Sequence, residues 1–442
     1  MNPWLGMVVV AGSFIAIMGV VELAGRRWQL HPELRRKLVH VGMGVVTLAF
    51  PWLFAQSWAV WVLNGAFVMV LGALRFLAPL RRRFGGVLGG VERQSWGEFY
   101  FPAAVAVIFT LTHEQRAYYV APLLVLTLAD AMAALVGVRF GHNTYRTGDG
   151  AKSIEGSLAF FVTAAASTFL PLWWLADAST LHIMVMAISV GVLAALMEAM
   201  SWRGLDNLFL PLVTLTILLR EAERTDAHLA VQTLVALALL AVLLFWRRRT
   251  TLRDEALACV TLVLYVCFTM GGWAWLLPPL TVVLAYPLLP FRPQFLLTDV
   301  HGSWIVLAMI APAWIWLFAE RTLGLPGKFA AFTLAVAAQL AMAFLARWRR
   351  ARPDTALATI IIGATATAWA FIVLPLWLLK QFPAKLFIGL PLAFGCLLIV
   401  VSLFYVLNGR SQDIPNRPAR WVIQSALALM ASLAGLLPFF SP

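Results

Sequence analysis

Charge is what this chain has least of. Of its 442 residues only 12% are Asp, Glu, Lys or Arg and 62% are hydrophobic, a balance that excludes an ordinary soluble globular domain. Cysteine is as scarce. Cys259, Cys267 and Cys396 stand in apolar segments without CxxC spacing, which excludes a disulfide framework and a zinc site and leaves them as packing residues. Asp and Glu number 20 against 33 Lys and Arg, a net charge of +13. That excess does not point to nucleic acid, because the arginines form short clusters between apolar segments, where they orient helices and meet anionic headgroups. Internal repeats, low-complexity tracts and soluble-domain-sized polar stretches are all missing. No small-residue cleavage site follows the first apolar run, so residues 4–23 read as a retained helix and not a removed signal.

What is present is apolar sequence from end to end. Segments 4–24, 39–55, 57–77, 99–112, 118–138, 156–176, 182–201, 205–219, 229–246, 255–270, 272–289, 303–319, 328–346, 357–379, 386–407 and 421–440 read as helices suited to a bilayer. The expected fold is all-α, a polytopic transmembrane helical bundle of about 16 spans. Segment 99–112 is short, and 205–219 opens on Asp206 and Asn207 and also reads as a re-entrant or broken helix. Placing Arg26, Arg27, Arg35, Arg36 and Lys37 in the cytosol brings the clusters at 81–83, 139–152, 247–253, 347–352 and 410–420 to the same side. About 26 of the Lys and Arg are then inside and about 7 outside. Both termini become external, and the expected location is the bacterial inner (cell) membrane with the site on the cytosolic side.

Acidic and amide groups at helix ends concentrate before about residue 210, whereas the segments after Thr250 carry almost none. The chain is therefore divided into a membrane domain over 1–225 that carries the chemistry and an additional transmembrane helical domain over 226–442. The boundary falls between about 225 and 250, with 247–251 as the expected linker. The second domain reads as scaffold, partner surface or substrate conduit.

Within the first domain Asp130 lies inside the apolar run 118–138, roughly 12 Å below its expected cytosolic end at 1.5 Å per residue. A carboxylate at that depth is costly and persists where a site needs it. Ala134, Gly137 and Gly141 follow at helical spacing and make a face without bulk, open to another helix or to a ligand. The next loop carries Gly148, Gly150, Lys152, Ser153 and Glu155, which suit phosphate oxygens through backbone N–H groups and a lysine point charge. It is not a Walker loop: Arg146 and Ala151 stand where G-x-x-x-x-G-K-[ST] needs glycines. The bland alternative is a basic turn that sets topology. Asp130 and Glu155 are the candidate ligands for magnesium, which keeps several waters and is shared with substrate phosphates.

Further polar residues reach the same depth. Arg36, Lys37 and His40 share one helical face, Glu98 and Glu198 lie just inside helix ends, and Asp206 and Asn207 open the eighth segment. Singly, Arg36 and Lys37 read equally as topology signals, His40 as an interfacial histidine, and Asp206 and Asn207 as a helix cap. His31, His113, His142, His182, His228 and His301 lack a matching ligand set and read as solvated or structural. The 19 Trp suit interfacial belts and packing.

Taken together these pieces resemble the polyprenol kinase family, the CTP-dependent dolichol, phytol and farnesol kinases with their diacylglycerol kinase relative. The matching pieces are Arg36-Lys37-Leu38-Val39-His40; Ser95-Trp96-Gly97-Glu98 with Tyr100-Phe101-Pro102; Asp130-Ala131-Met132-Ala133-Ala134-Leu135-Val136-Gly137 with Phe140-Gly141; Lys152-Ser153-Ile154-Glu155-Gly156-Ser157; and Asp206-Asn207 with Pro211. They stand in family order over about the first 220 residues. The resemblance implies transfer of the terminal phosphoryl group of CTP to a prenol or related lipid alcohol, with Mg2+ on Asp130 and Glu155. It implies catalytic roles for Asp130, Lys152, Glu155, Glu198 and Asp206. Nucleotide contacts then fall to Lys37, His40, Gly137, Gly141, Gly148, Gly150, Lys152, Ser153 and Asn207. The implied partners are CTP and a membrane lipid or prenol, without nucleic acid, and with a homo-oligomer left open. Phosphatidate cytidylyltransferases look similar around the Asp-to-Lys-x-x-Glu-Gly region, but their terminal Lys-Asp and His-Gly-Gly elements are not found. A membrane transporter, the reading from another class, fits the helix count but not the gathering of charge at one interface.

Overall fold

The computed structural model describes residues 2–77, 96–148, 150–201, 204–285, 301–323, 325–379, 386–408 and 418–437. The chain divides into two compact units, Met1–Leu237 and Ala238–Pro442. The boundary falls inside a continuous apolar helix, after Leu237, and not at the 247–251 stretch expected as linker.

The first unit begins with α1 (Pro3–Arg27), where Asn2 accepts the N–H of Trp4 at 2.9 Å, Pro3 opens the first turn and Arg26 and Arg27 close the last. Then come α2 (Pro32–Leu48), the single turn α3 (Phe50–Leu53), α4 (Ser57–Phe76), α5 (Gly97–Thr112) and α6 (Arg116–Leu124). Helix α6 continues through one wide π-helical turn, Val125–Ala129, into α7 (Asp130–Phe140). The remaining helices are α8 (Ile154–Leu175), α9 (Thr180–Met200), α10 (Asp206–Glu221) and α11 (Asp226–Trp246), the last of which carries the unit boundary. Phe50, Val105, Ile108, Phe109 and Tyr119 fill one core, with the Tyr119 hydroxyl donating to the Thr47 carbonyl at 2.8 Å. Leu126, Ala129, Phe160, Ala164 and Leu210 fill another, beside the π turn.

The all-α expectation needs one correction. The polar loop after α7 folds as a β-hairpin, β1 (Thr144–Thr147) against β2 (Gly150–Ser153), antiparallel with Tyr145 opposite Lys152. A four-residue strand pair this polar is held by its packing on α8 and not by apolar alternation.

The second unit contains α12 (Asp254–Gly271), α13 (Trp273–Ala285), α14 (Ser303–Thr322), α15 (Lys328–Ala351), α16 (Leu357–Leu378), α17 (Leu386–Asn408) and α18 (Pro418–Leu433). Helix α15 is its axis: 94% of its apolar window is buried. Its many alanines let α14, α16 and α18 approach closely. Cys259 and Cys267 are buried, Cys396 is partly so, and all three are free thiols.

Among the described residues 12 helices are long and apolar enough to cross a membrane, which makes this an integral membrane protein. The difference from about 16 lies in four segments. The expected 99–112 is α5, apolar but of 16 residues, and the expected 272–289 is described only as far as the 13-residue α13, its residues 286–289 lying outside the described residues. The expected 39–55 is broken at Ala49, where Pro51 opens the separate turn α3. The expected 205–219 is α10, only 16 residues long.

Candidate active site

The first pair joins α2 to the start of α7. Lys37 Nζ donates to Asp130 Oδ2 at 2.6 Å, and the Asp130 backbone carbonyl lies 3.4 Å away. His40, one helical turn on, brings Nε2 to 3.8 Å from the same carboxylate oxygen and 3.5 Å from the Leu126 carbonyl. The Lys37 side chain is 6% exposed and that of Asp130 21%, so the pair is desolvated on one side and open on the other. Helix α2 reaches the π turn because Gly44 lacks a side chain: a Cβ there would overlap Thr127. Arg36 is exposed and adds positive potential at Asp130.

The second pair joins the hairpin to the end of α9. Lys152 Nζ donates to Glu198 Oε1 at 2.7 Å and also to the Glu198 backbone carbonyl. Burial alone would lower the Lys152 pKa, but the Glu198 carboxylate outweighs it, with Tyr145 and Asp206 adding to the pull, so the ammonium is held above its ordinary value. Glu198 is buried. Asp206, at the start of α10, feels the charges of Asp130, Lys152 and Lys37 together. Its Oδ1 accepts the Asn207 N–H at 3.0 Å, and among the described residues no cation stands within ion-pair distance of it. Helix ends from α2, α7, α9 and α10 and the hairpin thus bring two lysine–carboxylate pairs and the Asp206 carboxylate into one electrostatic neighbourhood.

The loop residues go elsewhere than expected. Glu155 is held by Asn143: its Oε1 accepts from Asn143 N at 3.1 Å and Asn143 Nδ2 at 3.0 Å, which ties the start of α8 to the end of α7. Gly137 and Gly141 face the start of α8: a Cβ on Gly137 would stand 3.2 Å from Ser153 Oγ and one on Gly141 would meet the Gly137 carbonyl and Ser153. They let α7 and α8 touch, with Gly156 from the other side, whose Cβ would stand 2.9 Å from the Ala133 carbonyl. Ser153 is buried and caps α8, its Oγ accepting the Gly156 N–H at 3.0 Å. Gly148 stands in the hairpin turn, and Gly150 takes φ +134 in strand register with Thr147.

These positions bear on magnesium. Among the described residues no three His, Cys, Asp or Glu side chains form a metal-ligand cluster. Magnesium asks for less, one or two carboxylates beside waters and substrate phosphates. The exposed side of Asp130, with the carboxylate of Asp206 in its field, fits that demand.

Other expected residues are structural. Glu98 pairs with Arg75 at 2.7 Å, and Arg75 lies over the Trp96 ring at 4.5 Å. His182 pairs with Asp226 at 2.7 Å. Arg93, Gln94, Ser95, Asp149 and the arginines at 81–83 lie outside the described residues. Two residues of the site have no signal in the sequence: Asn143, which holds Glu155, and Tyr145, whose hydroxyl meets Ser157 Oγ at 2.7 Å beside Lys152. Asn143 stands 12 residues before Glu155 with no local pattern to mark it.

The chain is similar to a phytol kinase of Synechocystis sp., 29% identical over 213 residues, which is 47% of this chain and 88% of that relative. Neither a family model nor a solved structure matches. The likeness supports a polyprenol- or phytol-kinase-like family and a kinase acting on a prenol-type alcohol.

Proposed function

We propose that the first unit is a CTP-dependent kinase that phosphorylates the hydroxyl of a membrane-embedded prenol of phytol, farnesol or dolichol type, with its site on the cytosolic side of a bacterial inner membrane. The observation that carries this is the convergence of Lys37–Asp130, Lys152–Glu198 and Asp206 from segments far apart in sequence. A water-borne polyanion and a buried alcohol meet only near the membrane surface, and the basic clusters around α2 and the hairpin supply the matching field.

The alcohol oxygen attacks the terminal phosphorus, the bond from that phosphorus to its bridging oxygen breaks, and CDP leaves. Asp206 orients the hydroxyl and takes its proton. Lys152, aimed by Glu198, and Lys37, aimed by Asp130, neutralise phosphate oxygens. Magnesium, when bound by Asp130 together with the nucleotide, supplies further charge neutralisation at the transferred group. The hairpin and Glu155 fix the position of Lys152 without touching substrate.

Purified full-length protein with magnesium, offered CTP or ATP against phytol, farnesol, a dolichol and diacylglycerol, tests the reading. The expected product is a prenyl monophosphate made with CTP. Diacylglycerol as the accepted alcohol overturns the prenol assignment, and ATP as the better donor overturns the nucleotide assignment.

A further inference from the structure

The second unit carries chemistry that phosphoryl transfer leaves unused. Helices α12, α13, α14, α15 and α18 surround a narrow, partly open crevice of about 100 Å³. Val260, Leu264, Val282 and Ile310 represent its walls, and none of its described lining residues is Lys, Arg, Asp or Glu. Two buried donors stand among them, Gln339 at 2% exposure and Trp421 at 1%. Among the described residues neither Gln339 Nε2 nor Trp421 Nε1 has a hydrogen-bond partner.

The orientation of the Gln339 amide is determined by its neighbour. Gln424 Nε2 donates to the Gln339 backbone carbonyl at 3.2 Å and to Gln339 Oε1 at 2.9 Å. A backbone carbonyl only accepts, so Gln424 presents its NH2, Gln339 answers with oxygen, and Gln339 Nε2 and Gln424 Oε1 are the groups left over among the described residues. Gln339 stands near the middle of the 24-residue α15, roughly 17 Å from either end. An unsatisfied donor at that depth costs several kcal/mol. Trp421 stands one helical turn before Gln424 in α18, and Gln339 and Trp421 both line the crevice. His301, edge-on to Trp421 at 5.5 Å and joined to Thr251 at 2.9 Å, adds a polar margin.

We infer that this crevice binds the single apolar chain of an uncharged lipid whose hydroxyl or carbonyl oxygen accepts hydrogen bonds from Gln339 and Trp421. A phosphate headgroup is disfavoured because no cation among the described lining residues offsets its charge. A plain hydrocarbon leaves both donors unmet. This site belongs to the second unit and stands or falls independently of the kinase reading.

The test uses purified full-length protein in detergent with oleyl alcohol bearing a mid-chain diazirine, followed by peptide mapping. Saturable crosslinks are expected on α12 and α15, competed by oleyl alcohol as the hydroxyl source or monoolein as the carbonyl source, and not by octadecene. Gln339→Leu is expected to weaken labelling about fivefold. Absence of saturable crosslinks in these helices, as for a water-filled crevice, or equal competition by octadecene, overturns the inference. Should Gln339→Leu not fold, Val263→Phe fills the crevice without touching the amide pair. Labelling of α12 and α15 is then expected to vanish, and its persistence overturns the site.

Discussion

Lys37 and Asp130 lie 93 residues apart in sequence and 2.6 Å apart in space, each approaching from a different helix end. Replacing Asp130 by Asn keeps an oxygen that accepts the Lys37 ammonium, so the fold is expected to survive, while lipid phosphorylation falls at least about 100-fold. Initial rates beside a size-exclusion profile check this. Wild-type turnover in the variant removes Asp130 from the chemistry.

Lys152 depends on Glu198 for its position. Lys152→Ala is expected to raise the nucleotide concentration for half-maximal rate by about tenfold or more, and Glu198→Gln to do so more weakly. Because the folded-state pKa of Lys152 is raised, the stabilisation from its pairing is fully present below the ordinary lysine range and lost only as pH rises through the raised value. The unfolding-temperature difference between wild type and Lys152→Ala should therefore be flat from about pH 7 to 9. A steep loss in that window contradicts the assignment.

Part of this was readable before any coordinates. Lys37 and His40 share a face at helical spacing, and Asp130 is conspicuous because charge at membrane depth is costly; both lines of reasoning point to residues that do meet. Which lysine pairs with which carboxylate was not readable, because Glu198 and Lys152 are 46 residues apart and only the packing of α9 on α8 joins them. Gly137 and Gly141 have the same spacing whether they admit a ligand or a helix, and the choice rests with Ser153 and Gly156. The hairpin escaped notice because Thr144–Thr147 and Gly150–Ser153 are polar on both faces, although Gly148-Asp149 between them is a turn signal.

The contact of α7 with α8 makes its own prediction. Gly156→Ala would put a Cβ 2.9 Å from the Ala133 carbonyl, backbone that cannot swing aside. A loss of about 1 to 3 kcal/mol and reduced activity are expected. Gly65→Ala, where nothing lies within 4 Å, serves as the neutral control, and thermal unfolding of the two variants separates them. Equal stability would mean the helices are less tightly apposed.

Three carboxylates should separate by kinetics. Asp206→Asn is expected to lower kcat by about 100-fold with little change in the nucleotide requirement, as for a group acting on the hydroxyl. Glu155→Gln keeps an acceptor for Asn143 and is expected to leave the magnesium concentration for half-maximal rate within about twofold of wild type, whereas Asp130→Asn raises it in whatever residual activity remains. A strong magnesium dependence on Glu155 would return that residue to the metal.

The most direct measurement follows the label from CTP. Full-length protein is given a prenol and CTP labelled either in the terminal or in the innermost phosphoryl group, and the lipid product is isolated. Transfer of the terminal label alone, with CDP as co-product, is predicted. Appearance of the innermost label in the lipid with release of pyrophosphate, or no transfer from either, contradicts the account.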